Sequence, residues 1–160
     1  MIIIVVSIAI PALLIMVGGE AGRGVESEIR VTATNVAKQL MEEIKSKSWD
    51  ETPSSPSTTL GPESGETSLS LFDDADDFNN LSGYGNTPCT DTVTVNDVTF
   101  TREVDVCYVP AALGDCLGTK TNCTRSDATP TDYKKITVTV TAPATNWGSN
   151  VKLVTVMTNY

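Results

Sequence analysis

The first 17 residues, Met1 to Val17, carry no charge, and Ser7 is their only ordinary polar side chain. A stretch this apolar has to leave water, into lipid or among other helices. It sits at the lower limit for a membrane-spanning helix, which takes roughly 17–25 residues. Three readings compete. A cleaved signal peptide needs a basic stretch in front and a small-residue cleavage site behind. No Lys or Arg precedes the run, and Gly19-Glu20-Ala21 is a poor cleavage site. An ordinary single-span anchor has its first basic residue, Arg23, after the span. The excess of positive charge on cytoplasmic flanks would then leave the rest of the chain in the cytoplasm. The third reading is a long helix that starts in the apolar run and continues beyond it.

The continuation favours the third reading. Val25, Ile29, Ala33, Val36, Leu40 and Ile44 recur at spacings of 3 and 4, which makes one apolar stripe on a helix. Glu26, Glu28, Arg30, Lys38, Glu42 and Lys45 fall on other faces, and Lys45 and Lys47 suit the negative end of the helix dipole. Trp49-Asp50-Glu51-Thr52-Pro53 breaks the pattern, because proline lacks the amide that a helix needs. A helix from Ile2 to about Lys47 would be roughly 70 Å long. Its apolar part (Ile2, Ile3, Ile4, Val5, Val6, Ile8, Ile10, Pro11, Leu13, Leu14, Ile15 and Val17) is expected to bury all round. Its one-sided part is expected to pack on a folded head. Pro11 and the glycines 18, 19, 22 and 24 mark two soft regions. They read either as a kink and a juxtamembrane hinge, or as places where a packed helix can stretch. The organisation expected is residues 1–48 as helix, with 1–17 apolar and 25–48 amphipathic, then residues 49–160 as a β-rich head.

The head is acidic. Lys plus Arg number 11 against 20 Asp plus Glu, a net charge of −9. Such a surface repels nucleic acid, so no nucleic-acid partner is expected. There is no histidine, which removes the commonest general base and the commonest zinc ligand together. A Ser-His or Cys-His nucleophile is therefore impossible, no phosphate-binding glycine loop is present, and no catalytic residue is assigned. The cysteines are Cys89, Cys107, Cys116 and Cys123, separated by 18, 9 and 7 residues. An even number without tight pairs points to two disulfides in an oxidising compartment rather than to zinc. Four cysteines allow three connectivities. The expected one is Cys89–Cys107, stapling a hairpin, with Cys116–Cys123 closing a short loop around Gly118 and Thr121.

Strands are expected at Asp91 to Val95 and Val98 to Tyr108 around an Asn96-Asp97 turn, then at Lys135 to Thr141 and Val151 to Thr158. An antiparallel sheet with one face covered by the helix stripe follows, an α+β fold. Residues 53–70, rich in Pro, Ser, Thr and Gly, read as a surface loop. Asp73, Asp74, Asp76 and Asp77 then crowd together. Calcium would relieve their repulsion. The spacing is not that of an EF-hand loop, so a solvated turn with aspartate caps on a short helix is the favoured reading, and no cofactor is assigned.

Two stretches carry a family resemblance. Ala33-Thr34-Asn35-Val36-Ala37-Lys38-Gln39-Leu40-Met41-Glu42-Glu43-Ile44 resembles the "A-N-L-A-Q-Q-L-M-E-E-I" run common in the helix of minor pilins. Phe72-Asp73-Asp74-Ala75-Asp76-Asp77-Phe78 is similar to the "F-D-D-V-D-D-Y" stretch of minor pilins of the MSHA (mannose-sensitive haemagglutinin) type. With the order apolar helix, amphipathic helix, loop and strands, the chain resembles type IV pilins and the pseudopilins of type II secretion. The resemblance implies a pilin-like fold and a structural subunit without enzymatic activity. It implies self-assembly with other pilins into a surface filament and residence in the inner membrane before assembly. In that family a short basic leader ends in Gly, and a glutamate precedes the apolar run. Here the apolar run starts at Met1, and the expectation is that leader and glutamate lie upstream of it. The alternative from another class is a single-span anchored extracellular binding module that does not polymerise.

Overall fold

The computed structural model describes residues 26–52, 54–126, 128–143 and 150–159. The apolar residues Ile2 to Val17 and the first stripe residue, Val25, lie outside this set. Helix α1 covers residues 26–45. Among the described residues six strands follow: β1 (Asp91–Val95), β2 (Val98–Tyr108), β3 (Thr119–Thr121), β4 (Thr124–Ser126), β5 (Tyr133–Thr141) and β6 (Val151–Thr158). Four of them form an antiparallel sheet in the order β1-β2-β5-β6, and β3 and β4 form a separate two-stranded hairpin. The fold is α+β, one helix packed on an antiparallel sheet.

Alternation decides which side chains the sheet buries. Phe100, Val104, Val106 and Tyr108 of β2 share a face with Lys134, Ile136, Val138 and Val140 of β5, and all eight are buried. The opposite face carries Thr101, Glu103, Asp105, Thr137 and Thr139. Helix α1 covers the apolar face. Ile29, Ala33, Val36, Leu40 and Ile44 are buried in one core with the sheet residues, with Ala37 and Met41 widening the stripe. Each large apolar side chain buried here contributes about 1.5–3 kcal/mol. The β1–β2 turn holds Asn96 at φ 50° and Asp97 at φ 61°. These two left-handed residues match the twist of the flanking strands, and Asn and Asp tolerate that conformation best after glycine.

Two expectations are corrected. Residues 53–70 are not a wholly superficial loop. Leu60, Gly61, Pro62 and Glu66 are buried, and Leu60 exchanges both backbone hydrogen bonds with Arg125 of β4, at 2.7 and 2.9 Å. The loop is a strand-like strap under the β3–β4 hairpin, which the sequence reading did not anticipate. Helix α1 ends at Lys45.

The second correction concerns the disulfides. Both are present, but they join Cys89 to Cys123 and Cys107 to Cys116, with Cα atoms 5.0 and 5.4 Å apart. The expected pairs Cys89–Cys107 and Cys116–Cys123 are excluded by register. Asp91 faces Arg102, so a chain continuing back from Asp91 would bring Cys89 level with residue 104. Cys107 lies three positions further along, roughly 10 Å at strand spacing. Cys123 sits in the Asn122-Cys123 turn at the tip of β3–β4, whereas Cys116 precedes the base of that hairpin. The hairpin holds them apart. Among the described residues no helix is long and apolar enough to cross a membrane.

Candidate functional site

The acidic stretch after the strap is where titratable groups gather, and apolar residues put them there. Phe72 and Phe78 are buried and meet edge to face, with ring centroids 5.2 Å apart, and Ala75 between them is buried as well. Anchoring both ends of a short segment in the core pulls its aspartates inward. Asp74, Asp76 and Asp77 are buried, while Asp73 remains exposed. The segment is therefore not the solvated turn expected. Nor do its aspartates cap the short 3-10 turn Asp77–Asn79, whose leading residue Asp76 makes no side-chain capping bond. They fold the loop instead. Asp77 Oδ2 accepts the amides of Asp73 and Asp74, both at 3.0 Å, and Asp74 Oδ1 accepts the Asp76 amide at 2.9 Å.

The four aspartates do not converge on one point. Asp74 and Asp76 belong to one cluster and Asp77 to another, while Asp73 belongs to neither. In the first, Asp50, Asp74 and Asp76 offer carboxylate oxygens within 4.8 Å of one another. Lys134 enters from β5. Its ammonium is fully buried, pairs with Asp76, lies 3.1 Å from Asp50 Oδ2, and donates to the Trp49 carbonyl at 2.6 Å. It also stands 4.4 Å from the centre of the Trp49 ring, a cation–π contact. The Tyr108 hydroxyl closes the cluster, donating to the Ser57 carbonyl at 3.0 Å with Asp50 Oδ2 at 3.4 Å. One ammonium thus pairs with two of the three carboxylates, Asp50 and Asp76, while the Asp74 oxygens accept the backbone amides of Glu51 and Asp76. Burial pushes the Asp76 carboxyl up to about 8 although Lys134 pulls it down, and burial raises Asp74 as well. Burial followed by the Asp50 charge raises the Tyr108 hydroxyl. The lysine occupies the place a metal would take. The cluster fastens the segment after α1, the strap, the acidic loop and β5 together.

The second cluster joins Asp77 to two residues of the strap, Glu63 and Glu66. Burial, then the neighbouring Glu66, push Glu63 up to about 9; burial is also the main cause that raises Asp77 to about 7. Among the described residues neither Lys nor Arg pairs with these three carboxylates. A third group, Asp105 with Cys107 and Cys116, offers no thiolate, because its cysteines are bonded to each other.

No family model, curated protein or solved structure matches the chain. The site must then be judged on its residues alone. Of these, Asp50, Glu63, Glu66 and Lys134 were not singled out by sequence. A signal for Lys134 does exist: it continues the alternation of Ile136, Val138 and Val140 and so falls on the buried face. Glu63 and Glu66 carry none, since nothing in a Pro- and Gly-rich loop shows which residues turn inward.

Proposed function

We propose that this protein is a structural subunit of a type IV pilus or pilus-like filament, a pilin of the minor kind, without enzymatic activity. The observation that carries this reading is α1. Its stripe from Ile29 to Ile44 is buried on the sheet. In the sequence, the uncharged segment Met1 to Val17 lies upstream of the same helix. A chain with a head clamped to one half of such an element, and an apolar remainder, suits assembly by bundling of the apolar parts. Burial of Ile2 to Val17 among neighbouring copies drives assembly in this reading. The subunits wait in the inner membrane and end in an extracellular filament with other pilins. The acidic heads form the outer surface. Two disulfides suit a head exported to an oxidising compartment.

Electron microscopy of material sheared from producing cells, with mass spectrometry of the fibres, tests this reading. Fibres containing the chain are the expected result. A chain that stays in the membrane fraction while no fibres form would overturn it and leave the anchored, non-polymerising binding module.

A further inference from the structure

Two buried carboxylate oxygens, Glu63 Oε2 and Asp77 Oδ1, receive no N–H or hydroxyl donor among the described residues. Both belong to one place. One carboxylate oxygen from each of Glu63, Glu66 and Asp77 lies within 4.8 Å of the other two. Asp77 has no exposed surface and Glu66 only 9%. Two of the other oxygens accept from backbone amides: Asp77 Oδ2 from Asp73 and Asp74, and Glu66 Oε2 from Glu63 at 2.7 Å. The three carboxyl groups meet one another at hydrogen-bond range, Glu63 with both Glu66 and Asp77. The contrast with the neighbouring cluster is direct. Two of the three carboxylates there, Asp50 and Asp76, pair with the Lys134 ammonium, whereas among the described residues no side-chain cation pairs with the three here. Buried polar atoms are normally satisfied, and a buried charge is normally paired or bound to a metal.

We propose that Glu63, Glu66 and Asp77 bind one divalent cation, Ca2+ in preference to Mg2+ or Zn2+. The donors are all hard carboxylate oxygens. Zinc in proteins favours thiolate and imidazole, and this chain has no histidine and no free cysteine. Mg2+ demands a near-ideal octahedron and keeps several waters, whereas Ca2+ accepts six to eight oxygens in flexible geometry. Two irregular segments, the strap at Glu63 and Glu66 and the loop at Asp77, suit the second ion better. Glu63 is only half-buried and leaves an entry path. The bound ion clamps the strap to the acidic loop. This inference stands whether or not the chain forms filaments.

Calorimetry and thermal unfolding test it, on the full chain purified in detergent and stripped with a chelator. The expected result is one Ca2+ per chain, a higher melting temperature with Ca2+, and weaker binding of Mg2+. The double variant Glu63→Gln, Glu66→Gln should lose affinity by at least about tenfold, since even outer-shell changes cost 10–100-fold. Asp73→Asn, an exposed neighbour, should leave affinity unchanged. Absence of both heat and thermal shift on the unmodified chain at millimolar Ca2+ would overturn the proposal without recourse to any variant. Undiminished binding in the double variant would overturn the site, and Mg2+ binding as tight as Ca2+ would overturn the preference.

Discussion

The Asn79 side chain pairs with the backbone of Val106 as though it were a neighbouring strand. Its Nδ2 donates to the Val106 carbonyl at 3.0 Å and its Oδ1 accepts the Val106 amide at 2.6 Å. Strand β1 pairs with β2 only as far as Arg102, so Val106 lies past its end. Without Asn79 the edge of β2 would be buried with both polar groups unpaired. A loop side chain thereby completes the sheet and locks the acidic loop onto it.

Asn79→Ala should therefore destabilise the head by about 1–3 kcal/mol for each backbone group left buried and unsatisfied. Urea unfolding followed by circular dichroism checks this. A loss of a few tenths would show that Val106 finds another partner.

Lys134→Met should cost about 3–5 kcal/mol, because it leaves Asp50 and Asp76 buried without their counter-charge. Replacing Asp50, Asp76 and Lys134 together with apolar residues of similar volume should cost less than the single change, since a buried ion pair is weak as a net stabiliser. Thermal melts of the two variants, compared with the unaltered chain, decide the order.

Leu40→Ala should cost about 2–5 kcal/mol, the range for removing a large apolar side chain from a core. Leu40 is fully buried in the cluster that α1 shares with the sheet. The exposed position Val31, at 58% accessibility, offers the control. Val31→Ala should change the unfolding midpoint little.

Peptide mapping without reduction should recover Cys89 linked to Cys123 and Cys107 linked to Cys116. The first bridge spans 34 residues and the second 9. In the chain-entropy account the longer loop stabilises more, by roughly 4 against roughly 2.5 kcal/mol. Cys89→Ser with Cys123→Ser should then lower the melting temperature further than Cys107→Ser with Cys116→Ser.

What could be read from the sequence was what depends on short-range pattern. The stripe Ile29 to Ile44 and the alternation of Ile136, Val138 and Val140 each specify a buried face through local spacing. Asn96-Asp97 specifies its turn through two residues that tolerate positive φ. The disulfide partners could not be read that way. Their choice depends on where β3–β4 lies, and three-residue strands such as Thr119–Thr121 are too short to carry a period. The acidic loop misled for a related reason. Four aspartates in five positions describe a solvated turn unless Phe72 and Phe78 on either side are both drawn inward, which is a property of the assembled core. Glu63 and Glu66 matter only because the strap passes beneath Arg125, a contact between residues far apart in the chain.

The two disulfide loops are nested, with Cys107–Cys116 lying inside the span of Cys89–Cys123. A single peptide-bond cleavage anywhere between those outer cysteines leaves the two fragments joined by a covalent bond. The exposed segment from Ala111 to Asp115, the most accessible part of that span to an external protease, can thus be nicked without releasing β5 and β6. The damage would be visible on a reducing gel and silent on a non-reducing one.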